Sequence, residues 1–288
     1  MLQQGCEGLP YLEDAPWKRQ GRKVSARLFI TLSTHNMTSM TLGIIAGAII
    51  AGFIQGLSGF AFSLVATSIW IWFIEPQALV PIVLCSSLLG QIVSSYASIG
   101  KNFSMSRTSP FLIGGIVGVP IGVMIFHQIN EVAFRLGVGL ILIVYCSVML
   151  ADKGASRTIA GGKIADGVVG VISGIMGGVG GLSGPAPVIW CGLRGWDKNT
   201  QRATFQPLLI LTGLLGILIY VLTGAISTET LHILAIVSPL VMLSSWMGAK
   251  VYGAVPESIF KKTLLLLLLL TGFFLIGPVT YDLLASYR

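Results

Sequence analysis

The chain has 288 residues, of which 54% are hydrophobic and only 10% charged, with a formal net charge of +7. An ordinary soluble domain carries about 25% charged residues, so this composition excludes one and fits a helical membrane protein. A nucleic-acid partner is excluded too, because the Lys and Arg residues sit in short loops between apolar blocks, where membrane topology accounts for them.

Residues 1–40 differ in texture from the rest. PWKRQGRKVSARLF is basic, and its apolar part is too short for a secretory signal. Three readings stay open: a cytoplasmic tail, an interfacial helix, or an extension upstream of a start at Met37 or Met40. A glycine-rich apolar stretch follows, GIIAGAIIAGFIQGLSGFAFSLV. After it come six long apolar blocks: Ala78–Ile99, Pro110–Phe126, Val132–Leu150, Thr204–Leu222, Leu231–Ala249 and Thr263–Tyr281. Most reach the ~20 residues that cross a ~30 Å hydrocarbon layer. The last, within KKTLLLLLLLTGFFLIGPVTY, is apolar all round, unlike a helix of a soluble core. Between the third and fourth blocks lies a second glycine-rich stretch, GVVGVISGIMGGVGGLSGPAPVIW. The expected fold is an all-α polytopic membrane protein with about 8–10 apolar segments. The four cysteines, Cys6, Cys85, Cys146 and Cys191, lack metal-ligand spacing, and the last three read as small buried hydrophobes.

The tetrapeptide GLSG occurs twice, as Gly56–Gly59 and Gly181–Gly184. In nearly the same register, PIVLCSSLLG from Pro81 lies over PLLILTGLLG from Pro207. Two matches in one order mark an internal repeat. The predicted organisation is a basic extension (1–40), a first membrane repeat (41–150), a cytoplasmic linker (151–166) and a second repeat (167–288). Loops 100–109, 151–166, 193–203 and 250–262 hold the positive charge, whereas FIEPQ and TGAISTET hold none. With the basic loops inside, the helix from Ala78 runs inward and its repeat partner from Thr204 runs outward. The repeats are therefore predicted to be inverted, as in many secondary transporters. Residues 167–193 must leave from and return to the cytoplasmic side, and the limb Pro185–Cys191 is too short to span. A re-entrant hairpin with GLSG at its tip is expected there, and by symmetry another over Leu42–Phe73 from the opposite face. That arrangement puts the N-terminus outside, at odds with Lys18, Arg19, Arg22, Lys23 and Arg27.

Broken backbone at membrane depth persists where it is buried in protein or lines a watery cavity. Two breaks entering from opposite faces meet near the midplane, each followed by a helix N-terminus with free N–H groups. Such a cradle suits a small anion. No Asp or Glu sits centrally in an apolar segment, which disfavours a cation as substrate. The candidate substrate-binding residues are Gln55, Gly56, Ser58 and Gly59 in the first copy, Gly180, Gly181, Ser183, Gly184 and Pro185 in the second, and Gln206 and Thr212 in the helix that follows. Ser63, Ser86, Ser87 and Gln91 are further polar residues able to face the cradle, although a membrane serine such as Ser63 or Ser86 is more often bonded to its own helix. Gly43, Gly47 and Gly52 read as helix-packing contacts. Arg194, Lys198 and Arg202 read as orientation signals, with Arg202 able to lend charge from the cytoplasmic mouth, and His35, His127 and His232 as interfacial residues. No residue is assigned a catalytic role, and neither a metal nor a cofactor is expected.

The two glycine-rich stretches, the loop GWDKNTQRATFQ and the helix after it resemble the sulfite exporter TauE/SafE family, also called the toluenesulfonate uptake permeases, over about residues 41–285. The family's glycine signature falls on Gly52, Gly56 and Gly59, and on Gly177, Gly178, Gly180, Gly181 and Gly184, followed by Pro185 and Pro187. The first copy departs from it: GLSGF is poorer in glycine and lacks the proline. The resemblance implies a multi-pass secondary carrier of sulfite, organosulfonates or related sulfur anions, often outward, in the bacterial inner membrane. A carrier of another small organic anion, such as a carboxylate, is the alternative. An embedded enzyme lacks a His/Asp/Glu cluster or a spaced Ser–His pair, and a channel needs a wider polar lining. Coupling to protons or to the membrane potential is expected, since no P-loop is present. Homo-oligomerisation stays open.

Overall fold

A computed structural model describes residues 26–95, 103–151 and 161–251, and, near the C-terminus, 265–266, 268–273 and 275–276, with side chains from residue 40 onward. The cations Lys18, Arg19, Arg22, Lys23, Lys101, Lys153, Arg157, Lys261 and Lys262, the His35 side chain, Cys6 and part of the Thr263–Tyr281 block lie outside these residues. The chain divides into two compact units, Met1–Leu42 and Gly43–Arg288, and every contact below lies within the second.

Among the described residues all regular structure is helical. In chain order the helices are α1 (Ala26–Ser58), α2 (Phe62–Trp70), α3 (Pro76–Ser95), α4 (Met105–Phe126), α5 (Glu131–Ala151), α6 (Lys163–Gly180), α7 (Pro185–Leu193), α8 (Lys198–Leu222) and α9 (Thr228–Val251). Among the described residues, seven stretches are long and apolar enough to cross a membrane: Met40–Ser58 within α1, together with α3, α4, α5, α6, α8 and α9. Their faces are sorted opposite to those of a soluble protein. Ile113, Ile116, Val117 and Met124 of α4 and Leu214 and Leu218 of α8 are exposed, whereas Gln55, Ser86, Gln91 and Gln206 are buried. Large apolar side chains thus cover the outside as well as fill the core, which requires lipid as solvent, and the chain is an integral multi-pass membrane protein.

Glycine sets how closely the helices meet. Gly114, Gly118 and Gly122, one turn apart on α4, lie against the backbone of α6, and Gly170, Gly174 and Gly178 of α6 lie against the backbone of α4. A Cβ at any of the six would run into a main-chain atom of the other helix. This is small-xxx-small packing, in which dispersion between close backbones replaces the hydrophobic drive that lipid does not supply. Gly56 of α1 and Gly248 of α9 form a second, shorter seam of this kind, with Gly52 packed on Ser244 beside it. Gly43 meets Phe73 and Gly47 meets the Trp70 indole, so the three glycines expected to be packing contacts make such contacts. Helix α3 lies against both α8 and α9, and α8 lies against α4.

Both glycine-rich stretches fold as a long helix, a break and a returning helix of nine residues. At 1.5 Å per residue the returning limbs are only about 13 Å long. The end of each comes back to its long partner. Trp70 Nε1 donates to the Ile44 carbonyl at 3.2 Å, and Trp190 Nε1 donates to Asp166 Oδ1 at 2.7 Å. Arg194, just past α7, adds an ion pair to the same Asp166 oxygen at 2.9 Å. Its guanidinium also lies 5.0 Å from the Trp196 ring centre, which Arg107 of α4 approaches at 5.3 Å. Arg194 thus fastens the open end of the second hairpin.

Candidate functional site

The breaks differ in where the helix stops. Gly59 (φ +84°) ends α1, with its N–H on the Gln55 carbonyl at 2.6 Å. Gly181 (φ +70°) ends α6, with its N–H on the Gly177 carbonyl at 2.7 Å. Both are left-handed cap glycines, but one is the last residue of GLSG and the other the first. Pro185 marks the difference. A proline has no N–H and disfavours a continuing helix, although Pro81, Pro120, Pro207 and Pro239 lie inside helices elsewhere in the chain, and it fits as the first residue of α7. FAF after the first copy imposes no such stop, so α1 carries on through Gly56, Leu57 and Ser58.

The two breaks touch. A Cβ at Gly184 would come within 2.7 Å of Cδ2 of Phe60, and the Phe60 ring stands edge-on to Phe205 and Tyr145, each at 5.9 Å. Around this contact lies a cavity of about 20 Å³. A water needs about 10–15 Å³ on this measure, so the space admits little more than one. Its polar lining is Gln55, Ser63, Ser87, Gln91 and Ser183; Phe60, Leu84 and Leu209 form the apolar wall, and Gly181, Gly184 and Gly213 complete it. The Gln55 amide nitrogen donates to the Ser87 carbonyl at 2.9 Å and to Gln91 Oε1 at 3.1 Å, which fixes its orientation. Gln55 Oε1 is buried without a partner.

The remaining candidates lie close behind this wall. Gln206 is fully buried, with neither amide atom partnered, and its Nε2 stands 3.0 Å from where a Gly59 Cβ would be. Thr212 donates to Ser183 Oγ at 3.0 Å, and Ser173 donates to the Ser183 carbonyl at 2.6 Å. Ser58 is occupied locally: its hydroxyl donates to the Ile54 carbonyl at 2.8 Å and accepts from the Ala61 N–H at 3.1 Å. Gly56 packs on α9, a Cβ at Gly180 would come within 3.3 Å of Leu182 Cδ1, and Pro185 opens α7. Ser86 is fully buried but is not on the cavity wall, and its hydroxyl is unpartnered. The apolar wall, Phe60, Leu84 and Leu209, carried no sequence signal beyond the position of Phe60 after GLSG.

Helix N-termini supply less than the sequence pattern promised. Of the first four positions of α7, Pro185 and Pro187 have no N–H, which leaves Gly184 and Ala186. Arg202 takes a larger part than an orientation signal. Only 6% exposed, it donates from Nη2 to the Leu57 carbonyl at 2.6 Å and reaches that of Gly56 at 3.4 Å. A cation at the C-terminal end of α1 satisfies carbonyls left open by the break and opposes the partial negative charge there. Among the described residues no group of three His, Cys, Asp or Glu side chains is placed to hold a metal ion. His232 is exposed near the start of α9.

Two broken hairpins that close on one small polar cavity, inside a multi-pass helical membrane protein, have the design of a membrane transporter. Comparison with known families gives the same class. The family model of the sulfite exporter TauE/SafE matches residues 44–275, and the chain belongs to that family of membrane transporters. No curated protein and no solved structure matches the chain.

Proposed function

We propose that the protein is a secondary carrier that exports small sulfur-containing anions, sulfite and organosulfonates, across the cytoplasmic membrane by alternating access. The observation that carries this reading is the convergence of both breaks on the cavity walled by Gln55 and Ser183, in a chain of the TauE/SafE family. Gly181 and Gly184 keep side chains out of the space, and Thr212 orients Ser183. Gln206 lies beside Gly59 at the first break, outside the cavity lining. Gly56, Ser58, Gly180 and Pro185 shape the two breaks.

An inverted pair of repeats is supported by the way helices exchange partners. The long limb of the first hairpin, α1, seats its glycines on α9, and that of the second, α6, on α4. Likewise α3 packs on α9 while α8 packs on α4. If α6 corresponds to α1, α8 to α3 and α9 to α4, each contact has its counterpart, as a two-fold relation demands. The cavity as it stands holds little more than a water, and rocking one half against the other widens it to admit the anion from either side in turn. Protons or the membrane potential drive the cycle.

The test is sulfite efflux from vesicles that contain the purified chain, run beside Ser183→Ala and Gly184→Val. Saturable sulfite flux that both substitutions depress supports the carrier and its site. Flux unchanged in both sinks the site, and saturable flux of acetate or lactate with none of sulfite sinks the sulfur substrate.

A further inference from the structure

The cavity wall holds no charge. From α1 comes Gln55, from the first break and α2 Phe60 and Ser63, from α3 Leu84, Ser87 and Gln91, from the second break Ser183 with two glycines, and from α8 Leu209 and Gly213. None of these described lining residues titrates. Behind the wall, the phenol-bearing Tyr145 of α5 touches only the edge of Phe60, and Cys85 of α3 follows Leu84 without reaching the cavity. Arg202, the cation beside Gly59, donates to the carbonyls of Leu57 and Gly56.

Resting on the sulfur-anion reading above, we infer that this cavity takes its substrate as a monoanion, hydrogensulfite or a sulfonate, and rejects dianions. Charge sets the scale. The cost of taking an ion out of water grows with the square of its charge, so the sulfite dianion loses about four times the hydration energy of hydrogensulfite. A site that takes dianions offsets this with cationic side chains or with many aimed donors. Here the donors are few. Both Gln55 N–H groups are used on Ser87 and Gln91, one Gln91 N–H is used on Ser95 Oγ at 3.5 Å, the Ser87 hydroxyl donates to the Leu84 carbonyl at 3.1 Å, and two prolines remove N–H groups from the start of α7, which leaves the Ser63 hydroxyl and the second Gln91 N–H as neutral donors on the described wall. The Ser183 hydroxyl lies 3.0 Å from Thr212 Oγ1, whose single proton is shared with the Leu209 carbonyl at 3.2 Å. The Gln55 carbonyl oxygen is an acceptor in want of a donor. Hydrogensulfite brings one O–H; the dianion brings none. A wall with an unmet acceptor and few donors matches the protonated ion.

Binding of sulfite to the purified full-length chain, measured by calorimetric titration below and above the second ionisation of sulfite, tests this. Methanesulfonate, singly charged throughout, and sulfate, doubly charged throughout, are run in parallel. The expected result is a sulfite Kd that rises about tenfold per pH unit above that ionisation, a flat Kd for methanesulfonate, and no binding of sulfate. Sulfite affinity that holds or improves as the dianion takes over overturns the inference and leaves the sulfur carrier standing; sulfate binding tighter than methanesulfonate does the same. If neither sulfite nor methanesulfonate binds at any pH while acetate does, the sulfur reading falls and the inference with it.

Discussion

The two hairpins share a tetrapeptide, a left-handed cap glycine and a nine-residue returning helix, yet they are fastened by different chemistry. The first break is held from outside by a buried cation, Arg202, on the carbonyls that end α1, while Ser58 is spent on the turn itself. The second is held by hydroxyls: Ser173 on the Ser183 carbonyl, Thr212 on the Ser183 oxygen, and Tyr220 on the Gly178 carbonyl at 3.0 Å. One helix serves both. Arg202 and Thr212 stand ten residues apart on α8, about 15 Å along its axis. The lesson is that a repeated motif repeats the bend but not the job, and the serine left free by the bend is the one that reaches the cavity.

Substitutions that strike one break and spare the other sharpen this contrast. The largest effect is expected from Arg202→Leu, which strips a charge-assisted donor from buried carbonyls and should cost about 3 kcal/mol in thermal unfolding of the purified chain. Arg202→Lys should recover part of that loss; equal loss in both would show that the guanidinium fork itself is needed. Gly184→Ala comes next, because its Cβ meets Phe60 at 2.7 Å, and overpacking of this kind costs about 1–3 kcal/mol. Phe60→Leu in the same chain should restore flux, and a double variant no better than the single would rule out that contact as the cause. Gly59→Ala forces a left-handed alanine, at about 1–2 kcal/mol, and should lower stability without changing which anion is preferred. Thr212→Val removes one neutral bond, roughly 1 kcal/mol, and should weaken anion binding about fivefold if Ser183 then turns away. The smallest effect belongs to Asp197, the N-cap of α8. Hydrogen bonds from Thr200 and from backbone N–H groups hold its carboxyl below the usual range. Its stabilisation is present above the ordinary aspartate pKa and is lost as pH falls through the lower folded-state value. Asp197→Asn should therefore flatten the acid limb of a stability profile and leave anion preference unchanged.

Much of the architecture was legible because lipid imposes it. The blocks from Ala78, Pro110, Val132, Thr204 and Leu231 coincide with α3, α4, α5, α8 and α9, although each helix starts up to six residues earlier, since interfacial polar residues such as Gln77 and Asn199 also take helical bonds. The short return limb of the second hairpin followed from the basic loops on both sides of residues 167–193 and from the length of Pro185–Cys191. The different end points of the two breaks were legible in principle, as Pro185 has no counterpart after Gly59. The separate fates of Ser58 and Ser183 were not. A three-residue shift in a helix end turns a side chain by about 300° around the axis, and nothing in GLSG records it. Nor does a glycine announce its partner: Gly114 and Gly170 meet only because α4 and α6 do, a tertiary fact with no local signature. Arg202 was read as a surface signal because charge next to a loop is the topology pattern, and only its burial gives it another role.

The glycine seam between α4 and α6 has one more property. Its attraction comes from main chain lying on main chain at van der Waals distance and from weak Cα–H···O contacts, so it depends on separation and hardly at all on what surrounds the molecule. The lipid-facing leucines and isoleucines lose their solvent when the bilayer is dissolved; this joint does not. Solubilisation therefore threatens the rim of the protein before it threatens the pair of helices that backs the second break.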